Sequence, residues 1–461
     1  MQTLSEIIAK HDYNKKGPTS FLYKDSPFWQ KLLRIGFVGL ISLAGLGEWK
    51  TLNNMLGGLP KAITIGVICM AVAYGLIYPD IKQLKKIIWP ALVFLSLMAA
   101  LLLWSMVIWM MSLSTFSTMI DACSKLIFQS ISILTAVSGV YLFGSEAIDL
   151  FTLGMCFANA GIMVLEIPNF GLAASIQSLI TCLVTFGDAE GYARNLEIHD
   201  ITFVFGQLVL YYAAFAPHKT PAEKKRRIFF LFACTFFFFV GMKRIAIPAV
   251  VLFICVAYFI RLFKNKKPLF VLWGVGWVAF FFLYLYGVRT GAVSNILKIL
   301  GIDMMGRDYL WSLANDYYDF SISYMGHGFE YVDSIIAVWY GAGLINHPYP
   351  FHNDILKVFV EMGFPGFMFW SGIQYIITPI FWIKYADDET TLLYLCNLSY
   401  MTMTYLTDNT SFSFWSTMAL RLLPLAYSVQ RKKAPKPQVW KPRNKNEMRE
   451  HIRILMQESK E

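Results

Sequence analysis

Residues 305–370 read MGRDYLWSLANDYYDFSISYMGHGFEYVDSIIAVWYGAGLINHPYPFHNDILKVFVEMGFPGFMFW. This is the longest polar interval of loops and short helices in a chain otherwise made of apolar runs. It carries an arginine, Arg307, a histidine at a helix start, His352, and a set of aromatics and carboxylates. Around it the runs are long enough to cross a bilayer as helix, which takes about 17 to 25 residues. The interval therefore reads as one long loop at a membrane face, and the chemistry is expected there.

Composition agrees. Of 461 residues, 56% are hydrophobic and 15% charged, against about 25% charged in an ordinary soluble domain. Mean hydropathy is +0.50. So few charges cannot cover so much apolar surface, and the chain reads as all-α, a polytopic helical membrane protein. The net charge of +10 does not point to nucleic acid. Its lysines and arginines gather in short links between apolar runs, where the positive-inside rule puts them. The seven cysteines are scattered, with no C-x-x-C pair, so neither a zinc site nor a disulfide framework is indicated.

Outward from the loop, the expected spans are 32–46, 60–78, 87–111, 126–143, 148–167, 201–216, two flanking the turn GMKRIAIP, 268–286, 364–384, 392–406 and 412–427. About 12 transmembrane helices put every strongly basic link on one side, including HKTPAEKKRR and the KNKK of 264–267. About thirty polar residues with Lys15, Lys16 and Lys24 precede the first span, which is expected to act as an uncleaved anchor. The expected organisation is a cytoplasmic segment 1–31, spans one to nine over 32–286, and one long extracytoplasmic loop at 287–363. Spans ten to twelve follow over 364–428, then a basic cytoplasmic tail, 429–461.

No G-x-x-x-x-G-K-[ST] occurs, and the outer loops lack the Asp-x-Asp pair that would hold a divalent cation. Neither ATP hydrolysis, metal nor other cofactor is expected. Lys243 and Arg244 sit in an outer turn between very apolar spans. They either snorkel to the interface or face a cavity and bind an anion. Arg307 opens a helix-like segment with Trp311 one turn on, and its planar donor fork suits phosphate. His352 precedes Asn353, a good N-cap, and the helix DILKVFVEM, with Asp354, Lys357 and Glu361 on one polar face. That helix start favours an anion, and an imidazole suits proton transfer near neutrality. His327 and His347 rank below it. Asp408 and Asn409, in the turn before the last span, either cap that helix or meet sugar hydroxyls.

The order G-R-x-x-x-W, then H-N-x-x-L and G-x-x-G, resembles the bacterial O-antigen ligase and polysaccharide polymerase superfamily. The residues are Gly306, Arg307, Trp311, His352, Asn353, Leu356, Gly363 and Gly366. The outer turn GMKRIA is similar to the family's membrane-boundary arginine site, although many members have Ser-Arg where this chain has Met-Lys-Arg.

The resemblance implies a glycosyltransferase of the bacterial cytoplasmic membrane, with both termini cytoplasmic and the site extracytoplasmic. Its substrate would be an undecaprenyl-diphosphate-linked glycan, with Lys243, Arg244 and Arg307 at the diphosphate and His352 at the acceptor. Trp311, Asn353, Asp354 and Asp408 would line the substrate. The expected activity is polymerisation of repeat units into O-antigen, capsule or exopolysaccharide. A chain-length regulator and a flippase of the same pathway are expected partners, besides the lipid bilayer. A ligase using the same donor remains open, as does a lipid-linked sugar flippase. A flippase predicts charges at mid-membrane and repeated halves, whereas these charges gather at one side. A non-catalytic scaffold would survive loss of His352.

Overall fold

The computed structural model describes residues 28–111, 116–185, 190–241, 243–299, 304, 306–406 and 408–430. The expected N-terminal segment, apart from 28–31, and the tail beyond 430 lie outside the described residues, as does Met305. Among the described residues there are helices and connecting turns and no strand.

Six continuous helical stretches are long and apolar enough to cross a membrane: Phe28–Leu46, Leu59–Ile77, Ile81–Met111, Phe116–Phe170, Lys267–Arg289 and Asp354–Tyr385. Three apolar helices are shorter, Leu172–Thr185, Ile201–Ala214 and Ala246–Arg261. The remaining expected spans also coincide with helices, but length and apolarity alone do not mark them as crossing. Pro221–Val240 begins with Glu223, Lys224, Lys225, Arg226 and Arg227, which lower its apolarity. Asp388–Tyr405 turns Thr390, Thr391, Asn397, Ser399, Thr402 and Thr404 into the protein interior. Its sequence is polar because its neighbours are protein rather than lipid.

Several ties hold the bundle. Arg34 on the first helix makes two hydrogen bonds to Glu146, at 2.9 Å and 3.0 Å, with both residues buried. A paired, bidentate geometry is what makes a buried arginine tolerable. In lipid, helix association rests on close packing and interhelical hydrogen bonds rather than on a gain in apolar burial. The Lys267–Arg289 helix meets Asp354–Gly372 through Phe281 on Trp370, with ring centres 5.7 Å apart, and Phe282 on Phe367 at 5.6 Å.

The expected helix DILKVFVEM and the following span form one kinked rod. The break is at Gly363, where φ is 62° and ψ −172°, a conformation essentially confined to glycine. The loop 324–328 packs into the kink. The Phe364 N–H donates to the Tyr324 carbonyl at 2.8 Å, and the His327 and Gly328 N–H groups donate to the Glu361 carbonyl at 3.0 and 2.7 Å. A Cβ on Gly363 would lie 2.2 Å from the Met325 carbonyl carbon, and one on Gly326 would lie 2.4 Å from the Glu361 oxygen. On the far side, Trp104 donates to the Met362 carbonyl at 2.8 Å, and a Cβ on Gly366 would meet its indole at 2.5 Å. The two glycines thus let a loop and a tryptophan close on one helix from both sides.

Candidate active site

His352 stands at the head of this rod, with φ at 51°, a left-handed conformation few non-glycine residues adopt. Strain of this kind persists where the surroundings impose it, and here they do. On its C-terminal side the buried Asn353 accepts from the Leu356 N–H at 3.0 Å, capping the helix, and donates to Tyr284 Oη at 3.0 Å. On its N-terminal side the Phe351 carbonyl accepts from the Trp311 indole at 3.0 Å. Trp311 belongs to the short helix Arg307–Leu313, so the segment that carries Arg307 and the residue before His352 are fastened together.

The third wall is the turn before the last helix. Asp354 is buried, and its Oδ2 accepts the Thr410 and Ser411 N–H groups at 2.5 and 2.6 Å. That anchorage brings Asp408 to His352, with Nδ1 of the ring 3.5 Å from Oδ1 of the carboxylate. Nδ1 is shut off from solvent and has no hydrogen-bond partner among the described residues, so the pair is a close approach rather than a formed hydrogen bond. Nε2 makes no hydrogen bond with the described residues, and the side chain keeps 21% of its exposure. The open edge of the ring is thus the one opposite Asp408.

The polar face of the rod points inward rather than to solvent. Lys357 bonds Asp333 at 2.7 Å and approaches Glu330 at 3.5 Å and Glu361 at 3.9 Å. Lys125 joins from the Phe116–Phe143 helix, 2.6 Å from Glu330. Glu361 accepts the Val332 N–H at 3.1 Å. These ionic contacts fasten the helix Tyr331–Gly341 to the rod and to the bundle. Like-signed carboxylates can gather here because two lysines lie among them.

The placements divide the expected site residues. Trp311, Asn353 and Asp354 are buried, and their polar atoms are engaged with protein, so they build the site and present little to a ligand. Lys243 is also buried, 2.7 Å from Glu197. Arg244 beside it is exposed, and Arg307 is half-buried, its guanidinium making no hydrogen bond or ion pair among the described residues. His327 bonds the Tyr317 carbonyl at 2.9 Å and stacks on Tyr331 with ring centres 4.2 Å apart. Burial lowers its pKa against the opposing effect of that carbonyl, a structural histidine by every contact.

Sequence reasoning missed Tyr284, Tyr324 and the Lys125 network. Tyr324 donates to the Val360 carbonyl at 2.6 Å and lies 2.8 Å from the Tyr317 carbonyl, clamping the loop on the rod. No local pattern marks Tyr284, which sits inside an apolar span. Lys125 does carry a signal, as a charge at the mouth of one.

Comparison with known families adds an independent observation. Residues 229–371 match the O-antigen ligase family model. That stretch is thus similar to O-antigen ligases and supports the superfamily that the motifs resemble. It spans Arg244, Arg307, Trp311, His352 and the Gly363 kink, and ends before the turn that carries Asp408. No curated protein matches the chain.

Proposed function

We propose that the chain is a metal-independent glycosyltransferase that polymerises undecaprenyl-diphosphate-linked repeat units at the outer face of the cytoplasmic membrane. The observation that carries this reading is His352, at the start of a helix in the segment similar to O-antigen ligases, with Asp408 behind one ring nitrogen and the other open. A glycosyl diphosphate is already activated. The acceptor hydroxyl oxygen bonds to the anomeric carbon as the bond to the diphosphate oxygen breaks, and the hydroxyl proton passes to His352 Nε2. Asp408 faces the opposite nitrogen and stabilises the imidazolium that forms. Arg307, with its donor fork unengaged among the described residues, and the exposed Arg244 receive the charge that builds on the departing undecaprenyl diphosphate. Attack opposite the leaving group inverts the anomeric centre.

A ligase moving the finished glycan to another acceptor would use the same residues, so the product separates the two. The test takes purified enzyme with a lipid-linked repeat unit and excess chelator. Long lipid-linked chains are expected from the wild type, with His352→Ala down about 10²–10⁴-fold in rate. His352→Gln keeps a hydrogen-bonding group that cannot titrate near neutrality, and is expected to be as impaired. Activity lost on chelation, or retained in His352→Ala, would overturn the reading.

A further inference from the structure

Apart from the His352 loop, a polar groove of about 430 Å³ lies between the turn 48–61 and the segment 194–198. Lys50, Lys61 and Arg194 line it together with the amides of Asn53, Asn54 and Asn195. None of the three cations has a carboxylate within ion-pair distance among the described residues. Both carboxylates of the groove are engaged elsewhere, since Glu48 accepts from the Trp415 indole at 3.1 Å and Glu197 pairs with Lys243 at 2.7 Å. Glu166, whose charge Lys50 feels, already accepts from Trp49 at 2.6 Å, Asn169 at 2.8 Å and Asn195 at 3.3 Å.

Lys50 and Arg194 are exposed and Lys61 half-buried, none of them paired with a carboxylate among the described residues, so the hollow offers its positive charge to an anion. The surroundings say what kind of anion. Met55, Leu56 and Leu59, in the same turn as Lys50 and Lys61, are exposed by 75%, 46% and 49%. A polar hollow with cationic walls beside an apolar lip fits an amphiphile, with its head in the hollow and its chain over the lip. The Trp415–Glu48 bond sets the groove at the same end of the bundle as the turn carrying Asp408.

We propose that this groove binds the phosphate-bearing headgroup of a membrane lipid. Lys50, Lys61 and Arg194 neutralise the phosphate, the amides of Asn53 and Asn54 donate to its oxygens, and the chain lies across Met55, Leu56 and Leu59. Either a polyprenyl diphosphate or an anionic phospholipid offers this chemistry.

The experiment titrates the purified full-length chain, in non-ionic detergent, with farnesyl diphosphate and separately with dihexanoyl phosphatidylglycerol. The triple variant Lys50→Gln, Lys61→Gln, Arg194→Gln should bind at least about 10-fold more weakly the lipid that the groove holds. Weakening for farnesyl diphosphate alone assigns the groove to a prenyl carrier, and weakening for phosphatidylglycerol assigns it to bulk lipid. Lys82→Gln, Lys85→Gln, Lys86→Gln removes equal charge at the other end of the bundle and should leave that binding within about twofold. Equal losses in the two triple variants, or no loss in either, would overturn the proposal. His352→Ala should bind both probes as the wild type does, so this result stands apart from the transfer reaction.

Discussion

Nδ1 of His352 lies 3.5 Å from Oδ1 of Asp408, although 56 residues of chain separate them, because Asp354 holds the Thr410 and Ser411 N–H groups. One aspartate fixes the turn and the next presents its charge. An imidazole that gains a proton during transfer gains from a carboxylate on its far side, as in a Ser-His-Asp triad. On the proposed mechanism Asp408 acts through His352 as a positioning residue, and meeting sugar hydroxyls is the alternative role.

The two roles of Asp408 predict different kinetics. Asp408→Asn keeps the shape and removes the charge, and is expected to lower kcat by about 10- to 10⁴-fold with KM little changed. A residue that bound sugar hydroxyls would instead raise KM. The double variant with His352→Ala should be no slower than His352→Ala alone, since both act on one step. A raised KM with kcat intact, or additive losses in the double variant, would return Asp408 to the substrate.

The kink predicts a stability effect separable from chemistry. Gly363→Ala places a Cβ 2.2 Å from backbone in a conformation essentially confined to glycine, so the loop 324–328 must leave the kink. The cost is about 1–3 kcal/mol from the backbone conformation alone, before the clash is counted. Thermal unfolding in detergent should fall clearly below wild type. Gly276→Ala, where a Cβ meets nothing within 4 Å, serves as the comparison. Equal melting of the two variants would show that the kink is not as tight as the contacts imply.

Much of this site was legible in the chain because its parts are local. The Asn353 cap and the start of the rod both follow from neighbours in sequence. The helical character followed from apolar runs of spanning length. What the sequence hid is long-range. Asp354, Lys357 and Glu361 read in sequence only as one polar face, but the carboxylates of Asp354 and Glu361 accept from distant turns and the Lys357 ammonium donates to Asp333. Trp311 looked like a surface for substrate, yet its N–H reaches a carbonyl 40 residues away. Burial of a polar side chain depends on what packs over it, and no period of 3.6 reports that. The same limit applies to the crossing count, because a helix rich in Thr and Ser such as Asp388–Tyr405 scores as polar while it lies wholly inside protein.

Arg307 supplies the sharpest test of how the leaving group is held. Its helix starts after Gly306, which takes the left-handed conformation with φ at 77° and so turns the chain into the first helical residue. Trp311, one turn on, fixes that helix to the Phe351 carbonyl, so the guanidinium is placed by the backbone while its own donors stay unengaged among the described residues. Arg307→Lys keeps the charge but replaces a planar two-point fork with a single ammonium. If the fork grips the diphosphate as negative charge builds, the loss belongs in kcat, at about 10²-fold, with Arg307→Ala slower still. Trp311→Phe keeps Arg307 and removes the tie. It should also lower kcat, by about 10-fold, because one misplaced donor weakens a transition-state contact. Polymer assays on the three variants then order the effects. Full activity in Arg307→Lys would mean that charge alone suffices and the fork has no part in the reaction.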